Sequence, residues 1–107
     1  MVRNPPGFML LFRSLFGVGG GEAIGRDIVT SRDRNYSVKI KYKNASGGVR
    51  ERVVDVYSIG NGYIDAYDHF RREVRTFKFG RIKWTELTQD SFERKADYAP
   101  SIWVESG

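Results

Sequence analysis

The 107-residue sequence contains no cysteine. That excludes disulfide staples, thiolate metal sites and a thiol nucleophile. It is compatible with a reducing cytoplasm. Histidine is almost as scarce. The single copy, His69, cannot form a metal cluster by itself. No Ser-His-Asp order, paired-carboxylate spacing or zinc motif stands out, so a non-catalytic protein is expected, with no metal and no cofactor. Long apolar runs are also missing. The most apolar stretch, residues 8–16, is far short of the roughly 20 residues a membrane helix needs. Only Arg3 precedes it as a basic residue, and no small-residue cleavage pattern follows, which argues against a signal peptide.

What is present points to one small folded domain. The length closes one modest core, and 40% hydrophobic with 14% aromatic residues argues against disorder. Basic residues outnumber acidic ones, 18 to 13, giving a net charge of +5 and a pI near 9.7. Such a balance attracts anionic partners at long range. It is equally compatible with an ordinary basic surface.

Residues 1–35 differ from the rest and read as an appendage with a glycine-rich linker. After Pro5-Pro6-Gly7, the residues Phe8, Leu11, Phe12, Leu15 and Phe16 recur at helical spacing. A short helix that packs on the domain or on a second copy is expected there. Gly17-Val18-Gly19-Gly20-Gly21-Glu22 superficially suggests a phosphate loop. Glutamate stands where the dinucleotide fingerprint needs glycine, and no Gly-Lys-Ser/Thr follows. Flexible linkage over residues 17–25 is the simpler expectation.

From Tyr36 the period becomes two. Val38, Ile40 and Tyr42 alternate with Lys39, Lys41 and Lys43, the pattern of a half-buried strand. Asn44-Ala45-Ser46-Gly47-Gly48 reads as a hairpin turn and residues 49–59 as a second strand. Asn61-Gly62 is a tight-turn dipeptide. Residues 63–67 and 73–79 read as strands three and four, with residues 68–72 as the loop between them. Residues 81–87 supply a fifth strand. Short strands with turns at this spacing predict a mostly β protein, a small antiparallel β-barrel over residues 36–93, with a C-terminal tail over 94–107.

The candidate site follows from charge on these strands. Arg75, Phe77, Phe79 and Arg81 share parity, so a continuous strand would place two rings and two guanidiniums on one face. A guanidinium on an apolar face must find a partner. Arg71 lies in the preceding loop, and guanidinium forks suit phosphate and base recognition. Tyr63, Tyr67 and His69 are placed at the rim, where rings can stack on bases. Lys39, Lys41 and Lys43 form a stripe suited to secondary phosphate contacts, or simply a solvated strand face. The alternative for the arginines is pairing with Asp65, Asp68 and Glu73.

Residues 36–93 also resemble the WYL domain, a small Sm-like β-barrel of bacterial regulators. The family pattern runs roughly Trp-Tyr-Leu-x-Ala-Tyr-Asp, then Arg-x-Phe-Arg-Leu-Asp-Arg-Ile. Tyr63, Ala66, Tyr67, Asp68, Arg75, Phe77, Arg81 and Ile82 match it, with Ile64 in place of leucine. Gly62 stands for the tryptophan and Gly80 for the second aspartate, so stacking by that tryptophan is not expected here. The resemblance implies a bacterial cytoplasmic protein, a ligand pocket at the matching arginines, and a role in transcription or defence regulation. The implied ligand is single-stranded nucleic acid or a nucleotide-like anion. Residues 1–35 are too few and too glycine-rich for the winged helix such modules usually accompany, so an accessory sensor is expected. The rival expectation is a protein-interaction or dimerisation module, partnered by a second copy or a regulatory protein.

Overall fold

The computed structural model describes residues 20–100, with side chains from residue 21. The apolar segment expected to be helical, residues 8–16, lies outside the described residues.

The first element corrects the sequence reading. Residues expected to be a flexible glycine joint begin an α-helix, α1 (Gly20–Arg34). Ala23, Ile24, Asp27, Ile28 and Ser31 fall on one face and are buried. Each buried isoleucine contributes about 1.5–3 kcal/mol. An interior glycine costs about 1 kcal/mol relative to alanine, so tertiary burial outweighs the weak local propensity. At Gly25 a Cβ would lie 3.8 Å from the Phe79 ring, an ordinary contact that does not itself require glycine. The polar members of the face are satisfied across the interface. Asp27 Oδ2 accepts from Thr85 Oγ1 at 2.6 Å, and Ser31 Oγ accepts from the Val56 amide at 3.1 Å. Asn35, at φ 60°, ends the helix and returns its amide to the Ser31 carbonyl.

Five strands follow: β1 (Tyr36–Lys43), β2 (Val49–Gly60), β3 (Tyr63–Asp68), β4 (Glu73–Lys78) and β5 (Ile82–Ser91). All ladders are antiparallel, and the order is β4-β3-β2-β1-β5. The closed barrel expected from the sequence is not formed. β5 pairs with β1, no ladder joins it to β4 among the described residues, and the sheet is open. Period-two runs specify strands and hairpins, but nothing in them encodes the last ladder of a barrel.

Val38, Ile40, Val54, Val56, Ile64, Ala66, Phe77 and Leu87 form the core with Ile24 and Ile28 of α1. They define an inner face. The outer face carries Lys39, Lys41, Asp55, Asp65 and Tyr67. A bulge in β2, where Val56 pairs with Ala66 but Ser58 with Asp65, turns both Tyr57 and Ser58 outward. The chain after β5 then crosses this outer face. The Phe92 ring stacks on Tyr57 at 5.9 Å, and the Tyr98 hydroxyl bonds Ser58 Oγ (2.6 Å) and Asp65 Oδ2 (2.9 Å). Burial pushes the Tyr98 phenol above its ordinary value, helped by Asp65 and opposed by the Ser58 hydrogen bond and Arg94.

The β2–β3 turn is Asn61-Gly62, at φ 55° and 82°, the primed geometry that a two-residue hairpin requires. A Cβ on Gly62 would meet nothing within 4 Å. Gly62→Ala should therefore lose about 1–2 kcal/mol by backbone strain alone. Gly80, with open space and no positive φ, serves as the control, and Gly80→Ala should be nearly neutral. Denaturant midpoints compare the two. Equal midpoints would mean that the turn relaxes without cost.

Candidate functional site

Beyond the part covered by α1, the inner face changes from apolar to cationic. In β2, Val56 and Val54 give way to Arg52 and Arg50 at the same parity. Arg50 is the Cα partner of Tyr42 and Arg52 that of Ile40. From the other side, Arg75 stands opposite Ala66 and Phe77 opposite Ile64. Arg71 arrives from the turn between β3 and β4. Arg50, Arg52, Arg71 and Arg75 enclose a cavity of about 120 Å³ with Tyr42 and Phe77. The two rings meet edge to face, with centroids 5.0 Å apart.

Asp68 organises this cluster. Its carboxylate is fully buried. Oδ2 lies 3.1 Å from Arg75 Nη1 and 3.6 Å from Arg52 Nε. Oδ1 accepts the Phe70 amide at 2.9 Å and the Arg71 amide at 3.4 Å. Arg72 closes the turn at φ 60°, its amide 2.7 Å from the Asp68 carbonyl. One carboxylate therefore fixes two guanidiniums and the turn that presents a third. Arg50 and Arg71 are exposed and pair with no carboxylate among the described residues. The Arg52 guanidinium stacks on Phe70 at 4.6 Å, while the Phe70 residue is 71% exposed.

The sequence-expected site residues divide between places. Arg71 and Arg75 come together in the cavity. Arg81 does not line it, because β4 ends at Lys78 and Phe79–Arg81 forms a single 3-10 turn that breaks the shared parity. Tyr67 and His69 lie on the outer side. His69 Nε2 is 2.8 Å from Asp55 Oδ1, which also accepts from Ser37 Oγ, and the His69 ring meets Tyr67 edge on at 5.6 Å. Lys95 Nζ lies over Tyr67 at 4.9 Å. Tyr63 starts β3, partly exposed and opposite Lys78. The Lys39-Lys41-Lys43 stripe faces away from the cavity. Lys41 Nζ sits 5.2 Å from the Trp84 ring, its neighbour on β5.

Arg50, Arg52 and Tyr42 escaped the sequence reading. A signal was available, since Arg50 and Arg52 share parity with Val54 and Val56. That is the argument that singled out Arg75. Asp68 enters the sequence reading as a pairing partner and as a match to the family pattern; its role as organiser depends on a turn whose geometry no local signal sets.

A larger cavity, about 500 Å³, lies between the β3–β4 hairpin and the C-terminal segment. Arg72 and Lys95 face Asp65, Glu73 and Asp97 across it. Its mixed charge selects no sign of ligand, whereas the arginine cavity does. Among the described residues, no helix is long and apolar enough to cross a membrane.

Against known proteins, the WYL domain family model matches residues 25–87, more than half of the chain and including the arginine cavity, Asp68 and the turn. The chain belongs to the WYL domain family. The match begins within α1, at residue 25. Among solved structures, the WYL chain is similar to the proteasome accessory factor B/C (PafBC) of Arthrobacter aurescens, with a TM-score of 0.65 and 22% identity. The likeness covers 76% of this chain and 13% of that one, and it establishes a shared fold. No curated protein matches the chain.

Proposed function

We propose that this WYL domain is a ligand-sensing regulatory module whose arginine cavity binds single-stranded nucleic acid. The observation that carries the reading is two guanidiniums of the cavity without a carboxylate partner among the described residues, Arg50 and Arg71, together with an exposed Phe70 ring stacked on Arg52 of the same cavity. Guanidiniums bind phosphate oxygens by forked, charge-assisted hydrogen bonds. An exposed ring next to them offers a base a stacking surface without choosing its sequence. At about 120 Å³ the cavity is below the roughly 300–1,000 Å³ that encloses a whole small ligand. It admits one group of a ligand whose remainder lies outside.

The reading is of a binding module and not an enzyme. The cavity's cations are guanidiniums, which are hydrogen-bond donors with no acceptor to serve as a general base. Membership of the WYL domain family supports a regulatory module; an accessory role in the bacterial cytoplasm is part of this proposal. The open sheet favours a second reading. Its edges, β4 and β5, each leave one side without a strand partner among the described residues, which suits a protein-interaction module.

Salt separates the two. Titration of a labelled short single strand should give an affinity that falls steeply with salt, with a log–log slope of roughly −0.7 for each phosphate contacted. A salt-independent affinity, or no binding, would favour the strand-edge reading.

A further inference from the structure

The shape and charge of the cavity specify which phosphate it takes. Phe77, 1% exposed, closes the floor. Tyr42 is held beside it, its hydroxyl accepting the Lys78 amide at 3.0 Å. The cations converge from separate segments: Arg50 and Arg52 from β2, Arg71 from the turn, Arg75 from β4. Against these four guanidiniums stands Asp68, the one carboxylate among the described residues that contacts them, leaving an excess of three positive charges there. Glu73, the Cα partner of Asp68, lines the larger cavity instead.

An internal phosphodiester fits this arrangement poorly. It has a single negative charge and two ester arms, and the buried Phe77 leaves neither arm a way inward. A terminal phosphomonoester has one arm. It also carries about −1.5 to −2 charge near neutral pH and three acceptor oxygens. We infer that the arginine cavity recognises a terminal phosphate of a single strand, with Arg50 and Arg71 closing on its oxygens and the adjoining base stacking on Phe70. Arg75 and Arg52, held by Asp68, form the fixed half of the site. Arg50 and Arg71, free of such ties, are the half that answers to the ligand.

The inference rests on the nucleic-acid reading above, and its failure is separable from that of the reading. One short oligonucleotide is prepared with a 5′-phosphate, with a 3′-phosphate and with hydroxyls at both ends. All three are titrated against the full chain at one salt concentration. One phosphorylated form should bind roughly tenfold tighter or better than the hydroxyl-ended strand. That preference should disappear in Arg71→Ala, with the hydroxyl-ended strand affected less. Phe70→Ala should weaken every strand, and at most slightly change the preference for phosphate. Equal affinities for the three strands would overturn the terminal-phosphate inference and leave nucleic-acid binding intact. No binding of any strand would overturn both. A nucleoside monophosphate or inorganic phosphate competing as well as the phosphorylated strand would assign the cavity to a small phosphomonoester, and overturn the chain-end assignment.

Discussion

Asp68→Ala should bring the domain close to unfolding. The carboxylate is fully buried, bonds Arg75 at 3.1 Å and approaches Arg52 at 3.6 Å. It also accepts two amides of the β3–β4 turn. Removing one partner of a buried ion pair costs about 3–5 kcal/mol, because the other charges stay where they are. Domains of ordinary stability hold only about 5–15 kcal/mol in total. The urea midpoint of Asp68→Ala should therefore fall sharply. Asp68→Asn, which keeps an acceptor for the turn amides, should fall less. Equal losses in the two variants would mean that charge, and not turn capping, dominates. An unchanged midpoint in both would show that the carboxylate does not organise the cluster.

Joint replacement of Arg50 and Arg71 should have the opposite signature. Both side chains are exposed and neither has a carboxylate partner among the described residues. Surface substitutions of this kind usually move stability by less than about 0.5 kcal/mol. Two charge-assisted contacts to an anion contribute about 1.5–3 kcal/mol each. The Arg50→Ala, Arg71→Ala protein should therefore keep its melting temperature within a few degrees. Its affinity for a single strand should fall roughly a hundredfold or more, and the salt dependence should become shallower. Retained affinity in the folded double variant would remove the cavity from the binding function. Arg75→Ala separates these effects less well, because Arg75 serves both Asp68 and the cavity, so stability and affinity should fall together.

The strands and turns were legible because their signals are local. Lysines alternating with Val38, Ile40 and Tyr42 specify β1, and Asn61-Gly62 specifies the β2–β3 hairpin almost unaided. Helix α1 was not legible because its first residues favour coil. Its stability comes from Ile24 and Ile28 meeting a sheet assembled from residues far along the chain. Site residues followed the same division. Parity along β4 puts Arg75 on the face of Phe77. It does not extend to Arg81, because a 3-10 turn interrupts the count. Tyr67 at the end of β3 and His69 just beyond it flank Asp68 and fall on the other side, since alternate residues of an extended segment face opposite ways. Which arginines share one cavity depends on the β1–β2 register, and no short window of sequence contains that.

The strand order has a consequence for how the chain reaches this structure. β1 to β4 join neighbour to neighbour, so three hairpins can close as soon as they are made. β5 instead returns to β1, pairing Tyr36 with Ser91 and Val38 with Leu87. That ladder closes the longest loop in the sheet, and its entropic cost comes before its contacts form. Thr85, the partner of Asp27 in α1, arrives on the same strand. During synthesis, then, helix and hairpins emerge with an inner face still open. Of the five strands, the last to leave the ribosome is the one that both completes the sheet and ties α1 to it.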